Sequence, residues 1–269
     1  MSELPYKLVA IDLDDTLLGP DHLISARNAE AIAQVRAMGV KVCIASGRMH
    51  ESTLPYADVL DLDAPIISYN GAMIRDFRTG EVWQHHPLAV EPAQIVMDFC
   101  EQSRLQLNHY YGDRLYSKED TDWLQLYLGR TGSPSEIRPD FYEFLRGVSP
   151  TKLLIVDTPE YTDQLAIQFK ELFGETVYVV KTTDEYLEFI SPLASKARAL
   201  AFVAERYGIQ QSQVAAFGDS YNDIPMIEWA GLGVAVGNAK PALIAVADKV
   251  VLRSAEDGVG IALAELFGL

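Results

Sequence analysis

The stretch KLVAIDLDDTLL, Lys7 to Leu18, constrains this chain more than any other. An apolar run, Leu8 to Ile11, leads directly into Asp12, Asp14, Asp15 and Thr16. The run reads as a buried strand, because strands covered on both faces are near-continuous in Val, Ile and Leu. Carboxylates crowded at its end repel one another, and burying them unpaired is costly. A bound cation is the simplest compensation. Period-two spacing places Asp12 and Asp14 on one side while the chain stays extended. The fold must therefore bring a strand end to a place where negative charge is neutralised.

Strand and helix signals then alternate. Ser25 reads as the N-cap of ARNAEAIAQVRAM, with Ile32, Val35 and Met38 on one face and Gly39 as the stop. VKVCIAS is the next strand, followed by a helical HESTLPYADVL that carries Pro55. APIISYNGAMI is a third strand entering an Asn70-Gly71 turn of the kind that joins hairpin strands. After Pro192 the pattern resumes. SKARALAFVAERYG is a helix ending at Gly208, VAAFGDS a strand, NDIPMIEWAG a short helix that tolerates Pro225 in its first turn, and LGVAVGNA a strand. Buried strands separated by helices predict an α/β class: a doubly wound, mostly parallel sheet with helices on both faces.

The middle differs, being richer in aromatics and more polar. EPAQIVMDFCEQS, TDWLQLYLG and YTDQLAIQFKELFG read as helices; QLNHYYGDRLYS, TKLLIVDT, TVYVVKT and EYLEFIS read as strands, several of them antiparallel. The expected organisation is a core made of residues 1–83 and 192–269, with an inserted α/β domain of residues 84–191 bounded by Pro87 and Pro192.

A chain of 269 residues that is 49% apolar has ample material for such a core. Its formal net charge of -16 argues against a nucleic-acid partner, which calls for a basic stripe. An anionic substrate stays compatible, because a local cation reverses the field inside a cleft. Cys43 and Cys100, both in apolar runs, read as reduced core thiols. The N-terminus enters a strand at once, so no signal peptide is expected, and no apolar run is long enough to span a bilayer. A cytoplasmic setting without a membrane partner is the expectation; nothing in the sequence sets an oligomeric state.

Four polar clusters share one context: each follows an apolar strand or opens a helix. In open parallel sheets the ligand crevice lies at the carboxyl ends of the strands, so distant residues converge there. In the first cluster, Asp12, Asp14 and Thr16, two carboxylates in different environments can divide into an ionised nucleophile and a proton carrier. In the second, Ser46-Gly47-Arg48, a hydroxyl and a bare glycine N–H suit a phosphate oxygen. The third, Lys196, is a compact point charge for an anion. The fourth is GDSYND, with Asp219, Asn222 and Asp223; Asp219 supplies the hard oxygen that Mg²⁺ prefers. Taken singly, Asp223 reads better as a cap or turn former, Ser46 as a cap and Lys196 as a solvated side chain. Their order and shared context are what make the set specific.

With these residues in place, the chain resembles the haloacid dehalogenase-like superfamily of phosphohydrolases. DLDDTLL matches the DxDxT motif, CIASGR the second motif through Ser46, Lys196 the third and GDSYNDIPM the fourth. NGA at Asn70 to Ala72, GVAVGNA from Gly233 and EDGV from Glu256 resemble the Cof-type subfamily. The resemblance implies that Asp12 is the nucleophile forming an aspartyl phosphate and Asp14 the general acid/base. It implies a Mg²⁺ ion held by Asp12, the backbone carbonyl of Asp14, Asp219 and Asp223. Ser46, Gly47, Lys196 and Asn222 would hold the phosphoryl group. The insert would be a cap that selects the substrate, a small phosphorylated metabolite; sugar phosphates come first, flavin mononucleotide or pyridoxal phosphate behind. A phosphomutase using the same aspartyl phosphate, or a non-catalytic phospho-ligand binder, are the alternatives.

Two positions depart from the family pattern. Asp15 and Ala197 stand where Gly is common, and Asp15 suggests a turn that needs no unusual backbone angle. Dehalogenation fits poorly with Asp14 present, and Lys118, Lys152, Lys170 and Lys181 show no context for an imine-forming lysine. Adjacent His85 and His86 would point to opposite sides of a strand and chelate poorly, so these and His109 read as surface or core residues. The aromatics Tyr110, Tyr111, Tyr116, Trp123, Tyr127 and Tyr142 read mainly as core of the insert.

Overall fold

In the computed structural model, which describes residues 4–269, Leu8–Ile11 is a strand buried along its whole length. It pairs in parallel with Lys41–Ile44 on one side and Val214–Gly218 on the other. Leu232–Ala235 and then Lys249–Val250 extend the sheet beyond Val214–Gly218, so all five strands are parallel. The order places the first strand of the chain next to one that follows it by some two hundred residues, as a core interrupted by an insertion requires. The helix Ala26–Ala37 packs against Gly258–Phe267, and Lys196–Arg206 packs against Ile224–Trp229. The Ser25 side chain caps the first of these by accepting the Asn28 N–H at 3.1 Å.

The third expected strand takes a different place. Ile66–Ser68 pairs antiparallel with Met73–Arg75, in a separate three-stranded sheet completed by Val82–His85. It joins the parallel sheet through a bridge between Ala45 and Ile67. The reason is the turn: Tyr69, Asn70 and Gly71 all adopt positive φ (51°, 56° and 92°), reversing the chain within three residues. A parallel return needs a crossover of a dozen residues or more.

A second correction concerns Asp15. Its φ is 57° and ψ 5°, so the turn after Asp12 does use the left-handed region. Aspartate is among the few side chains that tolerate it. The Asp15 carbonyl is also anchored by the Asn238 Nδ2 donor at 2.7 Å.

The chain divides into two compact units, one made of residues up to Gly47, Thr53–Trp83 and Ser195–Leu269, the other of Arg48–Ser52 and Gln84–Ala194. In the second unit, Arg48 Nη1 donates to the Thr131 carbonyl at 3.1 Å. Its six-stranded sheet runs in the order Tyr178–Thr183, Tyr186–Ile190, Lys152–Val156, Gln106–Tyr111, Arg114–Ser117, Ser135–Ile137. All pairings are antiparallel except the last. One face buries Leu107, Leu153, Ile155, Leu187 and Phe189 beneath the helices Val90–Ser103 and Pro159–Phe173. The other carries Tyr110 and a buried ion pair in which Lys152 Nζ donates to Glu188 Oε1 at 2.8 Å. Tyr110, Tyr116, Tyr127 and Tyr142 are buried as expected, whereas Tyr111 is exposed and Trp123 half-buried. His109 is a core residue against the Phe141 ring, and His85 hydrogen-bonds Thr151 Oγ1 at 2.9 Å.

Phe217 is fully buried in the middle of the parallel sheet, while Ile167 is 70% exposed on a helix of the second unit. Phe217→Ala is expected to cost about 3–5 kcal/mol of stability and Ile167→Ala less than about 0.5 kcal/mol. Urea denaturation checks this; similar losses from the two would contradict the assignment of the core.

Candidate functional site

Two carboxylates arrive on adjacent strands. Asp12 directly follows Leu8–Ile11, and its N–H donates to the Phe217 carbonyl of the neighbouring strand at 3.0 Å. Asp219 directly follows Val214–Gly218. Sheet pairing therefore fixes the distance between them before any side chain interacts. Asp223 comes in from the start of Ile224–Trp229, and Lys196 from the first position of Lys196–Arg206.

Lys196 binds these segments together. Its Nζ donates to Asp12 Oδ1 at 2.6 Å and to Asp223 Oδ1 at 2.5 Å, with no side-chain exposure. It is not the solvated lysine that a first-turn position suggests. Asp223 Oδ2 accepts the N–H groups of Asp219 and Ser220, both at 3.1 Å, which closes the loop onto its own carboxylate. Gly218 makes room for this: a Cβ there would lie 2.6 Å from Asp223 Cβ. Asp223 thus ties its turn and faces the lysine at once. Thr16 Oγ1 donates to Asp219 Oδ1 at 3.1 Å.

Three carboxylates and one ammonium do not balance. The oxygens of Asp12, Asp219 and Asp223 lie within 4.8 Å of one another, all buried. With all three ionised and Lys196 protonated, two negative charges remain (three minus one), the charge of one divalent cation. The carboxyl groups register the imbalance. Burial pushes the Asp12 carboxyl well above the usual range; Lys196 pulls it back, and Asp223, Asp219 and Asp14 push it up again. Burial, then Asp223, raise Asp219 to about 7 against the opposing pull of Lys196. For Lys196, burial favours loss of the proton, but Asp12 and Asp223 outweigh it and hold the ammonium charged. Three hard oxygen donors with surplus negative charge fit Mg²⁺, which is held by few carboxylates and keeps waters. Among the described residues this is the one group of three such ligands.

Asp14 is half-buried with extended backbone (φ -69°, ψ 129°), and its carboxylate is not in that group of three. Ser46, Gly47 and Asn222 gather in a second cluster around Asn70. Asn70 N–H donates to the Ser46 carbonyl at 3.0 Å, Ser46 N–H to the Ile67 carbonyl at 2.8 Å, and Asn222 Nδ2 to Asn70 Oδ1 at 2.9 Å. In the sequence Asn70 reads as a turn former and as part of the NGA stretch that resembles the Cof-type subfamily; neither signal gives any sign of its side-chain partners.

The profile of haloacid dehalogenase-like hydrolases matches residues 9–263. The chain is 30% identical over 266 or more aligned residues to curated relatives; one of these is phosphatase YwpJ of Bacillus subtilis, with 94% of this chain and 97% of the relative covered. It is 28% identical to 5-amino-6-(5-phospho-D-ribitylamino)uracil phosphatase YitU of the same organism, covering both chains fully. The crystal structure of a haloacid dehalogenase-like hydrolase from Bacteroides thetaiotaomicron superposes with a TM-score of 0.91 at 28% identity, covering 97% of this chain and 100% of that one. Motif order, parallel core and whole-length similarity agree: the chain belongs to the haloacid dehalogenase-like hydrolases, among the Cof-type phosphatases.

Proposed function

We propose that this phosphatase hydrolyses small phosphate monoesters with Mg²⁺, through an aspartyl phosphate on Asp12. The observation that carries the reading is the convergence of Asp12, Lys196, Asp219 and Asp223 from separate segments into one buried cluster. Asp12, Asp219, Asp223 and the Asp14 carbonyl are the groups that would hold the ion. When bound, Mg²⁺ would neutralise charge on the phosphoryl oxygens.

The chain's own groups divide the remaining work. Lys196 holds Asp12 Oδ1, which leaves Oδ2 as the attacking oxygen. That oxygen forms a bond to phosphorus while the ester oxygen departs, taking a proton from Asp14. In the second step Asp14 accepts a proton from water, and the hydroxide so formed releases phosphate and restores the Asp12 carboxylate. The half-buried position of Asp14 suits a group that exchanges protons with a leaving group and with solvent. Ser46, Gly47 and Asn222 supply hydrogen bonds to the non-reacting phosphoryl oxygens.

For substrate class, sugar or sugar-alcohol phosphates stand first. The relative named for a phosphoribitylamino-uracil supports a phosphorylated polyol, with flavin mononucleotide and pyridoxal phosphate behind. Residues 84–191 would act as the cap that reads the leaving group. A cytoplasmic setting is supported by the buried free thiols Cys43 and Cys100, the first with its pKa pushed by burial to about 12. No helix among the described residues is long and apolar enough to cross a membrane.

Chelation is expected to abolish turnover of p-nitrophenyl phosphate. Mg²⁺ should restore it, and Ca²⁺ should do so poorly, because its looser coordination misplaces the nucleophile. Full activity in excess chelator would refute the metal assignment. Asp12→Asn, nearly isosteric, should remove turnover and leave the fold intact. Asp14→Asn keeps its carbonyl for the ion but carries no proton, so it should lose on the order of 10²–10⁴-fold. Substantial turnover by Asp12→Asn in steady-state assays would rule out the covalent route.

A further inference from the structure

Asn70 sits at the junction of three of the four motif segments. Its backbone is left-handed (φ 56°, ψ 28°) and the residue is 2% exposed. Its N–H fixes the Ser46 carbonyl, and its Oδ1 accepts from Asn222 Nδ2 at 2.9 Å. Its amide lies close against Gly47: a Cβ on Gly47 would stand 2.9 Å from Asn70 Oδ1 and 3.3 Å from Nδ2. The next residue, Gly71, presses on the residue before Lys196, since a Cβ there would meet the Ser195 carbonyl at 2.3 Å. One turn thus meets the Ser46-Gly47 loop, the Asn222 loop and the start of the Lys196 helix.

A carboxamide NH₂ group has two hydrogens. Directing one of the two on Asn222 to Asn70 Oδ1 fixes the plane of that amide and the direction of the other. An unanchored side chain would sample several rotamers and lose entropy on every binding event. Asparagine suits this position on two counts: it tolerates the left-handed backbone at little cost, and it carries the acceptor.

We propose that Asn70 is a positioning residue for phosphoryl binding, acting through Asn222 and the Ser46-Gly47 loop. The inference rests on the phosphatase reading above and adds to it a residue that does not itself touch the reacting atoms. Glycine also accepts the left-handed backbone, so Asn70→Gly removes the side chain without straining the turn.

The test is a double-mutant cycle on p-nitrophenyl phosphate with saturating Mg²⁺, with inorganic phosphate as competing ligand. Asn70→Gly should lose about tenfold in kcat/KM, the scale of one hydrogen bond to a charged group. The loss should fall mainly in KM and in the inhibition constant for phosphate. In the Asn70→Gly background, Asn222→Ala should cost under about threefold more. In the Asn70→Asp background, which keeps the acceptor oxygen, Asn222→Ala should cost as much as in the wild type. Thermal unfolding checks that each variant folds, and Asn70→Ala repeats the cycle if Asn70→Gly does not. An equal cost of Asn222→Ala with and without the Asn70 side chain would overturn the proposal, as would an unchanged KM and phosphate inhibition constant. Wild-type protein without turnover would bring down the reading of the site and this inference together. Normal wild-type turnover with multiplicative losses brings down this inference alone.

Discussion

The structure of the site depends on one buried ammonium. Lys196 lies between the carboxylates of Asp12 and Asp223 with no exposure of its side chain. Removing each of these ions from water costs several kcal/mol, so the arrangement is stable only because its geometry is short and shared. Lys196 is also the first residue of its helix, Asp12 follows one of two strands that pair directly, and Asp223 opens the helix Ile224–Trp229 just after the other. Without the ammonium, three buried carboxylates would face one another across adjacent strand ends. The parallel sheet, the helix start and the loop from Asp219 to Asp223 are mutually compatible because that charge is in place.

One lysine is not enough, and the shortfall connects stability to chemistry. Asp219 carries a pKa raised from the ordinary aspartate value to about 7. A carboxyl raised in the folded state holds its proton there after the unfolded chain has lost it. The contribution of Asp219 to the stability of the metal-free protein therefore falls as pH rises from the usual aspartate range toward 7. In the proposed reading a divalent cation reverses that trend. The same local positive charge would let a chain of net charge -16 receive a phosphate ester.

Much of this was legible in the sequence, for identifiable reasons. Leu8–Ile11 and Val214–Gly218 are continuous apolar runs ending in aspartate, a pattern that survives any tertiary context. Ser25 and Gly39 bracket their helix with ordinary cap chemistry. Ser135–Ile137 and Phe141–Phe144 escaped notice because three or four residues carry no measurable period. Gly258–Phe267 escaped because it is apolar on nearly all sides and shows no amphipathic stripe. Asp15 misled because the preference for glycine at positive φ is a tendency that aspartate can override when its carbonyl is anchored, here by Asn238. The pairing of Asn70 with Asn222 lay beyond reach. Their 152-residue separation carries no local signal, and only the fold brings them together.

In the proposed reading the buried carboxylates form one charge-coupled group completed by a divalent cation. Calorimetric titration of Mg²⁺ near pH 7, repeated in buffers of different ionisation enthalpy, tests it most directly. With its pKa raised to about 7, the Asp219 carboxyl is about half protonated at that pH before the ion binds. Mg²⁺ takes only the ionised form, so binding should release protons and tighten as pH rises toward 7. Asp219→Asn should weaken binding and remove most of the release. Tight Mg²⁺ binding with no proton release at any pH near 7, unchanged in Asp219→Asn, would contradict the account.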